Sequence, residues 1–223
     1  MQLSDRTISV LKNFATINPS LLFPAGSVLK TLSPQRNILG QANVEEAFDS
    51  EFAIYDLNQF LGVVSLFEQP DFDIQEHSVK ISNGSGHTSN YFFADKEMIE
   101  VPPDKNLAVD GKAVVFQITE SDLKSLLQAA HVMQLPNIVV EVGKERTLIK
   151  ATDNTNSTSN TYDVVVDCET YNSGYYIFAT ENLKFIPATY TVTITEKGLA
   201  YFESKDQMVQ YWVATEQGSK TDD

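Results

Sequence analysis

The chain has 223 residues, 42% of them hydrophobic and 21% charged, with 30 acidic against 16 basic side chains and a net charge of −14. That length holds one large domain or two small ones, and that apolar fraction excludes wholesale disorder. No apolar run approaches the roughly 20 residues that span a bilayer, and a single cysteine, Cys168, excludes an internal disulfide. Net acidity speaks against a broadly basic nucleic-acid surface, yet an acidic chain can still gather a few cations on one face. The opening MQLSDRTISV lacks the basic start and apolar core of a signal peptide, and the single cysteine makes a reducing cytoplasm the simplest expected location.

Leu3 to Asn18 predicts the first helix. Ser4 can cap it, and Asp5 suits the positive end of the helix dipole. Leu3, Ile8, Leu11, Phe14 and Ala15 form the expected apolar stripe. Arg6, Ser9, Lys12, Asn13 and Thr16 form the other face, which is out of line with an acidic chain in carrying two cations. From Pro19 to Ala53 the pattern is short strands and turns, with breaks at Pro24-Ala25-Gly26 and Ser33 to Asn37. Phe52 to Tyr55 is a short apolar strand that turns at Asp56 into a second helix. There Leu57, Phe60, Leu61 and Val64 share one face, and Asp56 with Gln59 reads as a capping box. After Pro70 the carboxylates Asp71, Asp73 and Glu76 with His77 read as a solvated acidic loop rather than a metal cluster. HSVKIS and YFFA are strands about the flexible turn NGSGHTSN.

Asp95 to Lys112 is the most linker-like segment, and Pro102-Pro103 would hold it extended. It predicts a domain boundary near the middle, giving 1–108 and 109–223 with a connector at about 95–112. The second half then repeats the plan of the first. AVVFQI is a strand, and a helix follows with Thr119 as its cap, Asp122 three residues on, and the stripe Leu123, Leu126, Leu127 and Ala130. NIVVEVG and TLIKATD form a hairpin-like pair, and Asp153 to Thr161 is a polar loop. Tyr175 to Pro187 repeats the strand-to-helix step, turning at Thr180 into a fourth, short helix that Pro187 stops. A hairpin about Glu196-Lys197-Gly198 and the strand MVQYWVAT follow, and EQGSKTDD is expected to fray. The expected class is α+β, with two tandem, similar domains, each an antiparallel sheet with two helices on one face.

Two stretches carry a resemblance. VLKNFATIN, Val10 to Asn18, and AIYDLNQFLGVVSL, Ala53 to Leu66, resemble the sliding clamps of T-even-type tailed phages, the DNA polymerase processivity factors. The likeness covers about the first third of the chain in letters and the whole of it in layout. It implies two clamp-type domains per chain and a homotrimeric ring around duplex DNA, without sequence readout. It also implies loading by an ATP-dependent clamp loader, and tethering of the replicative DNA polymerase and possible phage transcription factors, in the host cell cytoplasm. It implies no enzymatic activity, no cofactor and no metal.

On that resemblance the DNA-facing residues are Arg6 and Lys12 on the first helix, Lys124 and His131 on the third, and Lys184 on the fourth. The second helix has no lysine or arginine between Asp56 and Phe67. A ring that slides wants weak phosphate attraction inside and repulsion elsewhere, which reconciles DNA binding with a net charge of −14 in each copy. A partner-peptide pocket is expected from Val101, Pro102 and Leu107 of the connector with Trp212 and Val213 of the last long strand. Local packing of the connector is the competing reading of each of these.

No catalytic constellation stands out. His77, His87 and His131 lack metal-ligand spacing, Gly84-Ser85-Gly86 lacks the lysine of a phosphate loop, and Cys168 reads as inert in its strand. The alternative to a clamp is a β-rich phage structural protein with no DNA-sliding role.

Overall fold

Helix α1 forms where the local chemistry says it should. It spans Asp5–Ile17, with the Thr7 amide donating to the Ser4 hydroxyl at 3.2 Å. Its buried residues are Thr7, Val10, Leu11, Phe14 and Ile17, so the stripe is turned from the expected one, and Ile8 and Ala15 sit half-buried at its border. The computed structural model describes residues 1–103, 107–143, 146–170 and 173–221. The chain divides into two compact units, Met1–Asp104 and Lys105–Asp223.

In the first unit β1 (Leu21–Phe23), β2 (Gly26–Leu32), β3 (Ile38–Phe48) and β4 (Phe52–Ile54) follow α1. β1 pairs with β4 and β2 with β3, both antiparallel. Gly26, at φ +105°, supplies the left-handed step that starts β2. Helix α2 (Leu57–Val64) then begins at Asp56, whose carboxylate accepts from the Gln59 amide at 2.8 Å. Leu57, Phe60 and Val64 are buried and Leu61 half-buried. β5 (Asp71–Ile74), β6 (Ser78–Ser82) and β7 (Thr88–Phe92) form a three-stranded antiparallel sheet in that order. The acidic stretch after Pro70 is therefore a strand in its first part rather than a loop: Phe72 is buried on one side while Asp71 and Asp73 alternate outward. The core is aromatic, with Phe23 stacked on Phe52 at 4.6 Å and edge-on to Phe48 at 5.3 Å. α1 packs on β2, β3 and α2.

Of the expected connector, Lys96–Met98 is a single 3-10 turn capped by Asp95, and residues 104–106 lie outside the described residues. In the second unit β8 (Lys112–Ile118) leads into α3 (Glu120–Val132). The Asp122 amide donates to the Thr119 hydroxyl at 3.1 Å, and that hydroxyl donates to the Asp122 carboxylate at 2.6 Å. β9 (Asn137–Val142) and β10 (Thr147–Thr152) pair antiparallel as expected, with 144–145 between them outside the described residues. β11 (Tyr162–Val166), β12 (Cys168–Thr170), β13 (Gly174–Ala179), β14 (Tyr190–Thr195), β15 (Leu199–Ser204), β16 (Val209–Ala214) and β17 (Lys220–Thr221) complete the unit. One sheet runs β11-β10-β9-β13-β17, and β12-β8-β14-β15-β16 are hydrogen-bonded in that order. α3 packs on β10 and β11.

Two expectations fail in this unit. The strand-to-helix step at Thr180 yields one 3-10 turn, Thr180–Asn182, and no fourth α-helix. Six residues separate Ala179 from Ile186, which Pro187 keeps out of the α region. The Tyr190 hydroxyl also donates to the Ile186 carbonyl at 2.5 Å, and the Ile186 amide donates to the Tyr211 hydroxyl at 3.2 Å. Those bonds place the Phe185 ring on Tyr211 and Phe202, each at 4.6 Å. The tail is not simply frayed either: Tyr175 pairs with Lys220, and the Glu216 amide donates to the Ile177 carbonyl at 2.7 Å. Residues 222–223 lie outside the described residues.

Candidate nucleic-acid interface

Each helix turns an apolar stripe to its own sheet, so the outward face is what remains for a ligand. On α1 that face is Asp5, Ser9, Lys12 and Thr16, at i, i+4, i+7 and i+11, with Asp5 and Lys12 exposed and Ser9 and Thr16 outside the buried set. Lys12 lies in its middle. Arg6 is half-buried and stands off this line. Strand β3 fixes the start of α1, since Glu46 accepts from both the Ser4 amide and the Thr7 hydroxyl. Partial burial pushes the Glu46 pKa up, but the hydrogen bonds from Thr7 and Ser4 outweigh it, and the carboxyl sits below its ordinary value.

The outward face of α2 is Asn58, Gln59 and Gly62, without charge. A cleft of about 430 Å³ lies between α1 and the end of α2, with Asp5, Ile8, Lys12, Leu61 and Val64 in its lining. On α3 the exposed residues include Ser121, Lys124, Ser125, Gln128 and His131, apart from half-buried members at the border of the stripe. Lys124 and His131 thus share the outward side, one near each end. Lys184 is exposed, but it follows the 3-10 turn on extended chain and so lies on no helix. Among the described residues Lys12 and Lys124 make no ion pair, whereas Arg36 bonds Glu100 at 2.6 Å, Lys96 bonds Glu51 at 2.8 Å and Lys150 bonds Glu141 at 3.0 Å. The two helix lysines are therefore open to phosphate in a way those three cations are not.

The residues expected to form a peptide pocket are not alike. Val101 and Pro102 are half-buried, and Leu107 is 40% exposed. Trp212 is 5% exposed and lies against Tyr201, with ring centroids 5.0 Å apart. Val213 is fully buried opposite Ala200. Adjacent residues of a strand point to opposite faces, so Trp212 and Val213 cannot line one pocket, and Val213 belongs to the core of the second unit.

Two features escaped sequence reasoning. One is that, of the strands that end a sheet among the described residues, β7 and β11 carry large exposed apolar side chains. β7 ends the three-stranded sheet with Phe92 73% exposed, and β11 ends the five-stranded sheet with Val165 59% exposed. By contrast, the edge at β5 is met by the chain's start, through a Gln2–Asp71 bridge and the Phe72 amide donating to the Met1 carbonyl at 2.7 Å. The other is Tyr91 on β7, whose hydroxyl lies 3.0 Å from the Asp56 carbonyl and 3.1 Å from Gln59 Oε1. The Gln59 side chain therefore faces Tyr91 rather than closing a capping box. Alternating residues in Thr88–Phe92 were the available signal for the edge; nothing local signals the Tyr91 contact.

Among the described residues no three His, Cys, Asp or Glu side chains are grouped to hold a metal ion. Cys168 Sγ is half-buried, 2.8 Å from the Thr147 hydroxyl. What the geometry offers is two antiparallel α+β units with sparse, unpaired lysines on helix faces, and this is the arrangement of a DNA clamp. A chain in the solved structure of the C-terminal region of FEN-1 bound to A. fulgidus PCNA matches the fold with a TM-score of 0.73 at 13% identity, over 98% of both chains.

Residues 4–97 match the DNA polymerase processivity factor family, and residues 115–217 match the gp45 sliding clamp C-terminal family. The sliding clamp of Vibrio phage KVP40 is 30% identical over 97% of this chain and 99% of its own. That of Enterobacteria phage T4 is 28% identical over the full length of both. The chain belongs to the phage sliding-clamp family of DNA polymerase processivity factors. That membership sets aside the reading as a β-rich structural protein.

Proposed function

We propose that three copies close head to tail into a ring around duplex DNA, and that the ring tethers the replicative polymerase without enzymatic activity of its own. The observation that carries this reading is that one sheet-ending strand in each unit, β7 and β11, carries large exposed apolar side chains. A contact between two different surfaces of identical chains propagates around an axis and closes when the rotation allows. β7 of one copy and β11 of the next are such surfaces, both carrying exposed apolar side chains beside unpaired backbone groups.

Inside the ring Lys12 and Lys124 supply phosphate attraction, with Arg6, His131 and Lys184 as lesser contributors. The attraction is weak because the cations are few and α2 adds none. Weak, sequence-independent contact suits sliding, and the excess of carboxylates keeps the remaining surface repulsive to DNA. The two clamp domains are taken as 1–108 and 109–223, and the compact division after Asp104 supports a boundary there. Val101, Pro102, Leu107 and Trp212 remain candidates for docking the terminal peptides of partners. Opening by an ATP-dependent clamp loader, contacts with phage transcription factors and action in the host cytoplasm complete the reading. The test is solution mass by light scattering across a dilution series. A mass near three chains that falls toward one on dilution supports the ring, and a monomer at every concentration rules it out.

A further inference from the structure

Strand β7 and the two residues after it are tied to the beginning of α2 and to the strand before it at three places. The Tyr91 ring stands edge-on to Phe60, with centroids 5.2 Å apart, and its hydroxyl reaches the Asp56 carbonyl at 3.0 Å. Phe93, just beyond β7, stacks on Phe52 of β4 at 4.6 Å. The Ala94 amide donates to the Ala53 carbonyl at 2.9 Å. Ala53 and Phe52 belong to the strand that runs into the α2 cap. The Asp56 carbonyl is also the group that closes the first turn of α2, since it accepts from the Phe60 amide at 3.0 Å. Phe92 meanwhile points the opposite way from Tyr91, out of the sheet, and is exposed.

From this geometry we infer that Tyr91 is a positioning residue that couples pairing at the β7 edge to the order of the first turn of α2. The inference rests on the ring reading above, in which β7 is the edge that meets the next copy. Its physical basis is that one short strand has two jobs on its two faces. The outward face and unpaired backbone take a partner strand; the inward face holds the carbonyl on which α2 starts. A strand gains order when its free edge is paired. The Tyr91 hydroxyl transmits that order because its acceptor is a helix-closing carbonyl and its second neighbour, Gln59, bears the amide that Asp56 caps. Coupling of this kind is reciprocal: whatever orders the first turn of α2, duplex DNA against its face included, strengthens edge pairing at β7.

The experiment is hydrogen exchange on the full-length chain, read at the Gln59 and Phe60 amides, at concentrations above and below assembly as fixed by light scattering. In the wild type, exchange at these amides slows at least about fivefold on assembly, the low end of ordinary coupling between sites. Y91F keeps the ring on Phe60 and removes the hydroxyl, so it still folds and assembles at high concentration, but the response at Gln59 and Phe60 is lost. Q59A, at an exposed position, is the second variant and gives an intermediate response. The Ile8 amide of α1 and the Leu29 amide of β2 serve as controls that respond alike in all three chains. A wild type that assembles without slowing at Gln59 and Phe60, or a Y91F chain that responds as the wild type does, overturns the coupling and leaves the ring standing. A wild type that never assembles overturns the ring and the coupling with it.

Discussion

Thr7 of helix α1 donates its hydroxyl to the Glu46 carboxylate on strand β3, a contact across 39 positions of sequence. Together with the Ser4 amide it gives that carboxylate two donors at the positive end of a helix. The consequence is that the helix bearing Lys12 is registered on its sheet by a charged group rather than by apolar packing alone.

This makes the first unit sensitive to acid in a defined window. The Glu46 pKa is below its ordinary 4.5 in the folded chain. A lowered carboxyl contributes stability above its unfolded pKa and loses it as pH falls through the folded value. Thermal unfolding followed by circular dichroism should therefore show wild type losing an increment of stability below about pH 4.5 that E46Q lacks. At pH 7, E46Q should be less stable by about 1–2 kcal/mol, the usual worth of hydrogen bonds to a charged group reduced for partial exposure.

The lysines make a separable prediction. K12Q and K124Q remove exposed side chains that lie outside the cores, so stability should change by less than about 0.5 kcal/mol. Duplex binding should weaken in each. The slope of log affinity against log salt should fall by about 0.9 for every phosphate that is no longer neutralised. An unchanged slope in both variants would move the DNA path away from α1 and α3.

How much of the fold is legible in the sequence depends on the range of the interaction. Caps at Ser4, Asp56 and Thr119 are local chemistry, and all three stand where the sequence places them. The exposure of Lys12 and Lys124 follows from helical period. The turn of the α1 stripe toward Val10 and Ile17 does not, because β2, β3 and α2 choose which face is buried. The strand Asp71–Ile74 is polar on one side and exists because β6 pairs with it. Tyr91 reaches Asp56 across 35 positions, and no spacing rule reports such a pairing.

The missing fourth helix shows tertiary structure overriding a local signal, and it can be tested directly. Pro187 alone does not keep Lys184 off a helix; the hydroxyls of Tyr190 and Tyr211 hold Ile186 extended, and Phe185 is packed among aromatic rings. P187A should leave helix content by circular dichroism unchanged. F185A should cost about 1–3 kcal/mol, less than emptying a fully buried aromatic site because Phe185 is half-buried. Added helix in P187A would show that proline, not packing, sets this segment.

The open edges give the most consequential prediction. Phe92 and Val165 are exposed at 73% and 59%, so neither has a core role that a charge would disturb. Lysine on a strand edge is a common device against pairing, because a joining strand would have to desolvate it. F92K and V165K should each keep the melting behaviour of the wild type while shifting assembly to higher concentration, and the double variant should stay near the mass of one chain. Because β7 and β11 meet only between copies in a head-to-tail ring, mixing F92K with V165K leaves each chain one intact edge. Such a mixture should form dimers through one healthy junction and close no ring. Light scattering of the mixture distinguishes this from a contact of like with like. If β11 met its own kind, F92K alone would still dimerise as readily as wild type, and if β7 did, V165K alone would.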